Sequence, residues 1–148
     1  MRRLMLLVIV LCCAGCTASV PLAPASLDQV AKHFQPPVGE ALVYVVRRPG
    51  EGIMTIFQVF VDGKILGSVA PGTYLVLPVA PGPHSITSFT AENQAEMTVL
   101  AQEGHLYFVH MFPRMGWNAT RVGLETLNEA AGREAVQAAS MAQGLARP

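Results

Sequence analysis

The sequence predicts a mainly β protein: a small antiparallel β-sandwich of about seven to eight strands, flanked by a short N-terminal helix and a C-terminal helix. Three observations predict it. Between Ala41 and Thr126, short runs rich in β-branched and aromatic residues recur. Turn signals (Asp62-Gly63, Pro71-Gly72, Pro81-Gly82, Glu103-Gly104) separate those runs at intervals of roughly ten residues, the spacing of sandwiches and barrels. Of the 148 residues, 51% are hydrophobic and 14% charged, against about a quarter charged in an average domain, so one domain of this length buries a core without staples.

The chain opens with Met1-Arg2-Arg3, the apolar run Leu4 to Leu11, and Cys12-Cys13-Ala14-Gly15-Cys16. A positive start, a short apolar stretch and small residues form the pattern of a secretory signal over residues 1–15, too short to span a bilayer, which takes about 20 apolar residues. Ala14-Gly15-Cys16 resembles the end of the bacterial lipobox, with Cys13 where that motif most often has Leu. The resemblance implies cleavage before Cys16 and acylation of its thiol and new amino terminus. With an acylated Cys16, the protein is expected in the bacterial cell envelope, held on a membrane by lipid. By resemblance to lipoproteins in general, Asp in the place of Thr17 would imply retention at the inner membrane, so its absence places the expectation at the outer membrane, facing the periplasm. Residues 16–26 are small, uncharged and proline-spaced, as a semi-extended tether would be. The domain is expected over 27–148, with its core in 41–126.

Ser26-Leu27-Asp28-Gln29 has the form of a capping box, and Leu27, Val30, Ala31 and Phe34 follow at helical spacing until Pro36-Pro37 closes the segment. Strands are expected over Ala41–Arg47, Ile53–Asp62, Lys64–Val69, Thr73–Val79, Pro83–Ala91, Ala95–Ala101, His105–Phe112 and Thr120–Thr126. Asp62-Gly63 suits a tight hairpin because both positions tolerate positive φ. Asn128 caps a polar, alanine-rich helix from Glu129 to about Gln143, whose thin apolar stripe predicts loose packing or fraying, and the tail from Gly144 to Pro148 is expected to be disordered.

The segment Val59 to Thr90, with its Val-Asp-Gly start, Gly72-Thr73-Tyr74 and Pro81-Gly82-Pro83-His84, resembles the PEGA-type surface domains. The wider span from about Ala41 to Ala138 adds Tyr44-Val45-Val46-Arg47 and Gly104-His105-Leu106-Tyr107-Phe108-Val109. It resembles an uncharacterised family of bacterial envelope lipoproteins. The resemblance implies a β-sandwich on a lipid anchor with no assigned activity.

Composition narrows the chemistry. Loss of the leader removes Arg2 and Arg3 and leaves a net charge of about −2 with scattered cations, which argues against a nucleic-acid partner. All three cysteines, Cys12, Cys13 and Cys16, precede the domain, so a disulfide framework and a thiolate zinc site are excluded from it. No Gly-x-Ser-x-Gly elbow, phosphate-cradling glycine loop or serine–histidine–acid set is present, and neither a catalytic residue nor a cofactor is expected.

Four residues are candidates for ligand binding: His84, His105, Arg114 and Trp117. His84, after Pro81-Gly82-Pro83, either serves a ligand or fixes its hairpin through a backbone group. His105 and His110, five apart on one strand, fall on opposite faces and cannot share a metal, with His110 on the core side. His110-Met111 and Met115 have the donor types that copper takes, although Met is commonly a core filler. Glu92, Glu96 and Glu103 surround one hairpin, where charges protect a sheet edge. Phe112 to Trp117 joins two strands and carries the single Trp beside an Arg and a Met, types enriched in binding hot spots. A Trp folded back over the end of the sandwich is the plainer alternative. The expected function is a non-enzymatic binding or assembly module with an envelope protein partner. The alternative is a lipoprotein that binds a small ligand or a metal.

Overall fold

The computed structural model describes residues 19–51 and 54–145. The leader, Cys16 and the first tether residues lie outside the described residues, as do Ile53, at the expected start of the second strand, and residues 146–148. Among the described residues, eleven elements follow in order: α1 (Ala25–Ala31), β1 (Ala41–Arg47), β2 (Phe57–Val61), β3 (Lys64–Val69), β4 (Thr73–Val79), β5 (Gly82–Phe89), β6 (Gln94–Ala101), β7 (Leu106–Arg114), β8 (Arg121–Leu127), α2 (Glu129–Gln137) and β9 (Ser140–Met141). The strands form a five-stranded sheet, β8-β7-β1-β4-β9, and a four-stranded sheet, β3-β2-β5-β6. The protein is mainly β, a sandwich of two sheets with both helices on the outer face of the larger one.

The larger sheet is buried on both faces, which explains why β1 reads Ala-Leu-Val-Tyr-Val-Val without alternation. Val43, Val45, Val109 and Met111 point between the sheets, against Phe57, Val59, Val61 and Ile86. Leu42, Tyr44, Val46, Tyr74 and Phe108 point the other way, under the helices, with Phe34, Ala135 and Val136. There the Tyr44 and Phe108 rings stack at 5.1 Å, and Phe34 meets both.

Two pairings depart from a purely antiparallel sandwich. β1 runs parallel to β7, with Val43 opposite Tyr107, and β4 runs parallel to β9, with Thr73 opposite Ser140. β1 thus sits centrally, and the smaller sheet is spelled out by chain lying between β1 and β7. The Asp62-Gly63 turn is as expected, with φ of 51° and 75°.

The helices differ most from expectation. Ser26 does not cap α1: Pro24 occupies the cap position with no side-chain bond. Asp28 instead reaches across the fold, accepting from Tyr74 Oη at 2.9 Å, the Met141 N–H at 2.8 Å and Lys32 Nζ at 2.9 Å. Leu27 and Val30, expected in the buried stripe, are 52% and 66% exposed. Asn128 caps α2 as expected, accepting from the Ala131 N–H at 2.9 Å, but α2 ends at Gln137 and the chain turns into β9. It does not pack loosely. Gly132, Ala135 and Val136 are buried, and a Cβ on Gly132 would overlap the Phe108 ring.

The chain ends are also tied down. The Leu145 N–H donates to Leu66 O at 2.9 Å, so Gly144 and Leu145 follow β3 and are not a free tail. The stretch read as tether joins the domain by Pro21, whose carbonyl accepts the Gln143 N–H, while the Ala23 N–H donates to Met141 O. No helix among the described residues is long and apolar enough to cross a membrane.

Candidate functional site

One end of the sandwich carries the loop between β7 and β8, residues 115–120, facing the β5–β6 turn of the other sheet. Glu92 in that turn holds the loop. Its carboxylate accepts the backbone N–H groups of Trp117 at 2.8 Å, Asn118, and Ala119 at 2.6 Å, and the Arg121 Nε–H at 3.0 Å. Three successive N–H groups aimed at one carboxylate form an anion cradle. These bonds, with Asn118 first, then Trp117 and Ala119, outweigh desolvation and, helped by Arg121, hold the Glu92 carboxyl down to about 2. Next to Glu92, the Asn93 side chain donates to Val122 O at 2.8 Å and accepts the Val122 N–H at 3.0 Å, copying a strand pair with β8.

Gly116 is required by this approach. A Cβ there would collide with the Ala119 carbonyl and the Glu92 carboxylate. The backbone is therefore fixed while the side chains are not covered: Met115 is 94% exposed and Trp117 90%. Arg114 and Trp117 line a shallow hollow of about 300 Å³ with Thr120. The Trp is not folded back over the end of the sandwich, as its exposure shows.

His84 takes the hairpin-fixing role. Its Nδ1 lies 2.7 Å from Asp62 Oδ2 and its Nε2 2.8 Å from Ala80 O. Asp62 Oδ1 also accepts the Ser85 N–H at 2.9 Å. Two acceptors on one ring favour the imidazolium. The Asp62 hydrogen bond, outweighing desolvation and helped by Ala80, raises the His84 pKa. Burial alone would raise Asp62, but the bonds from His84 and Ser85 hold it below its ordinary value.

His105 stands just before β7, exposed, with Nδ1 at 2.9 Å from Glu103 O. His110 is buried at 4% exposure, as expected for a core-side residue. Its Nδ1 meets Glu125 at 2.8 Å, and its Nε2 lies 2.7 Å from Glu51 without making a hydrogen bond to it. The two carboxylates sit on different ring nitrogens and so do not converge on one point. Among the described residues no three His, Cys, Asp or Glu side chains are grouped to hold a metal. The copper donors are split as well: Met111 is buried between the sheets, His110 lies on the opposite face of β7 and Met115 is in the exposed loop.

The four candidates do not form one site. Arg114 ends β7 and Trp117 lies in the loop that follows it, whereas His84 and His105 lie where β5 and β7 begin. Pairing of Gly82 with Ala101 and of Leu42 with Leu106 places those starts at the opposite end of the sandwich. Glu92, Asn93 and Gly116 escaped sequence reasoning. Glu92 looked like part of a solvated acidic edge, yet Glu96 accepts from Ser85 Oγ at 2.7 Å and Glu103 from the Gly39 N–H at 3.1 Å. Each glutamate is spent on its own contact. Gly116 beside Trp117 is the one local signal of a tight approach.

No family model matches the chain. An uncharacterized protein of Haemophilus influenzae is 25% identical over 126 residues, covering 84% of this chain and 75% of the relative. The similarity runs through most of the sandwich and is not confined to one hairpin.

Proposed function

We propose that the protein is a lipid-anchored lipoprotein of the bacterial envelope, held through Cys16 at the outer membrane and facing the periplasm. It acts there as a non-enzymatic binding or assembly module that presents its β7–β8 loop to an envelope protein. The observation that carries this reading is the combination of a backbone pinned by Glu92 with Met115 and Trp117 left exposed. A surface aromatic on a preordered loop loses little freedom on binding, and Trp is the residue most enriched at interface hot spots. Engagement of both His84 ring nitrogens within its own hairpins supports a structural role for that residue over a catalytic one.

The test is detergent co-purification from cross-linked envelopes with wild type, Trp117→Ala and Cys16→Ala chains. A partner recovered with wild type and lost with both variants, while Trp117→Ala stays folded and membrane-bound, supports the reading. Recovery of the same partner with Trp117→Ala removes the loop from it. Turnover of a substrate that His84→Ala abolishes without unfolding would overturn the non-enzymatic reading altogether.

A further inference from the structure

On the lipid-anchor reading, we infer that the protein rests on the bilayer through the α1 and β9 edge of its larger sheet. Leu22, Leu27 and Val30 would touch lipid, and the Trp117 loop would stand away from it.

The apolar surface lies where such a contact needs it. Leu22 is 55% exposed, Leu27 52% and Val30 66%. Leu27 and Val30 continue inward as one wall of an apolar groove of about 240 Å³, whose floor includes Leu42, Val76 and Met141. Met141 joins the groove to Leu22, because the Ala23 N–H bonds to Met141 O and Leu22 bridges Ala142. The charges of α1 are turned inward. Lys32 Nζ binds Asp28 and the Ala139 carbonyl at 2.7 Å, leaving uncharged Ser26, Gln29 and Gln35, with His33, as the polar neighbours of the exposed side chains. Contiguous exposed apolar surface of this kind marks protein or membrane contacts.

Chain length selects the membrane. Val20 packs against the sandwich core, and only four peptide steps separate it from Cys16, a reach of at most ~14 Å. The acyl chains hold Cys16 at the bilayer surface, so Val20 stays within that distance of lipid. In sheet order β9 and β8 are the two opposite edges, separated by four strand spacings, about 19 Å. A tether this short keeps the β9 edge, where Leu22 pairs with Ala142, within reach of the membrane, and the β8 edge lies about 19 Å further across the sheet.

The test uses the full chain, expressed with its leader, purified in detergent and reconstituted into phosphatidylethanolamine–phosphatidylglycerol vesicles. The mature chain carries no cysteine besides Cys16, so Val30→Cys and, on the outer face of the smaller sheet, Thr98→Cys each accept one polarity-sensitive fluorophore. Lipids bearing a shallow nitroxide are then added. A face seated in the headgroup region should lose roughly half its emission or more to the nitroxide at position 30 and about a tenth or less at position 98. Equal, weak quenching at both positions in a sample whose mass includes the diacylglyceryl group overturns the seated face and leaves the anchor standing. A mature mass without lipid overturns the anchor reading and this inference together.

Discussion

Glu92 accepts the backbone N–H of Trp117 across the gap between the two sheets, at 2.8 Å, while the Trp117 ring is 90% exposed. A residue of one sheet thus sets the backbone of a loop belonging to the other, and the side chain is displayed because its backbone cannot move. The same carboxylate holds Asn118 and Ala119, so one substitution tests the whole arrangement.

Glu92→Ala should leave three amides without their acceptor. Hydrogen exchange at Trp117, Asn118 and Ala119 is expected to rise by an order of magnitude or more, as opening of the loop becomes local and nearly free, while exchange in β1 stays unchanged. Unaltered exchange in the loop would mean that other contacts hold it.

Acid should act through the same group. The Glu92 carboxyl is lowered from its ordinary 4.5 to about 2. A depressed carboxylate contributes stability that is fully present above its unfolded value and is lost as pH falls through the folded one. Loop protection should therefore persist at pH 5 and decline between about 4.5 and 2, a decline that Glu92→Gln removes. NMR titration of the Trp117 amide reads it directly.

The His84–Asp62 pair should give a stability maximum on the acid side of neutrality. Asp62, lowered from 3.8, contributes above that value and loses its contribution as pH falls through its folded pKa. His84, raised from 6.5, contributes fully below that value and loses its share as pH rises through its folded pKa. Thermal melts of wild type should be highest between those two ordinary values, and His84→Ala should flatten the alkaline limb. Identical pH profiles for the two proteins would remove the pair from the stability of the hairpins.

Gly132→Ala should invert a familiar sign. In an open helix interior the change stabilises by about 1 kcal/mol. Here the added Cβ meets the Phe108 ring, itself locked between Tyr44 and Phe34, and overpacking costs about 1–3 kcal/mol. A lowered midpoint in urea is expected, and a raised one would show that α2 slides freely over the sheet.

The sequence by itself determined the class of the fold and much of its punctuation. β1, β3 and β4 begin and end where their apolar runs and their Asp-Gly and Pro-Gly turns place them, because Gly and Pro punctuate the backbone through their own local conformational preferences. Asn128 capped its helix for the same local reason. Tertiary structure decided what depends on partners far along the chain. The Ala138 to Gln143 stretch has helical propensity, yet Ser140 and Met141 pair with the free edge of β4 and end α2 early, since edge hydrogen bonds and burial outweigh fractions of a kcal/mol of propensity. Asp28, which had no role of its own in the expected capping box, became a clasp between α1, Tyr74 and Met141. Glu92 lies 25 residues from the N–H it binds. Nothing in a linear pattern distinguishes a glutamate left in water from one met by three donors, because the donors are backbone groups that every residue carries and only the folded chain aims them.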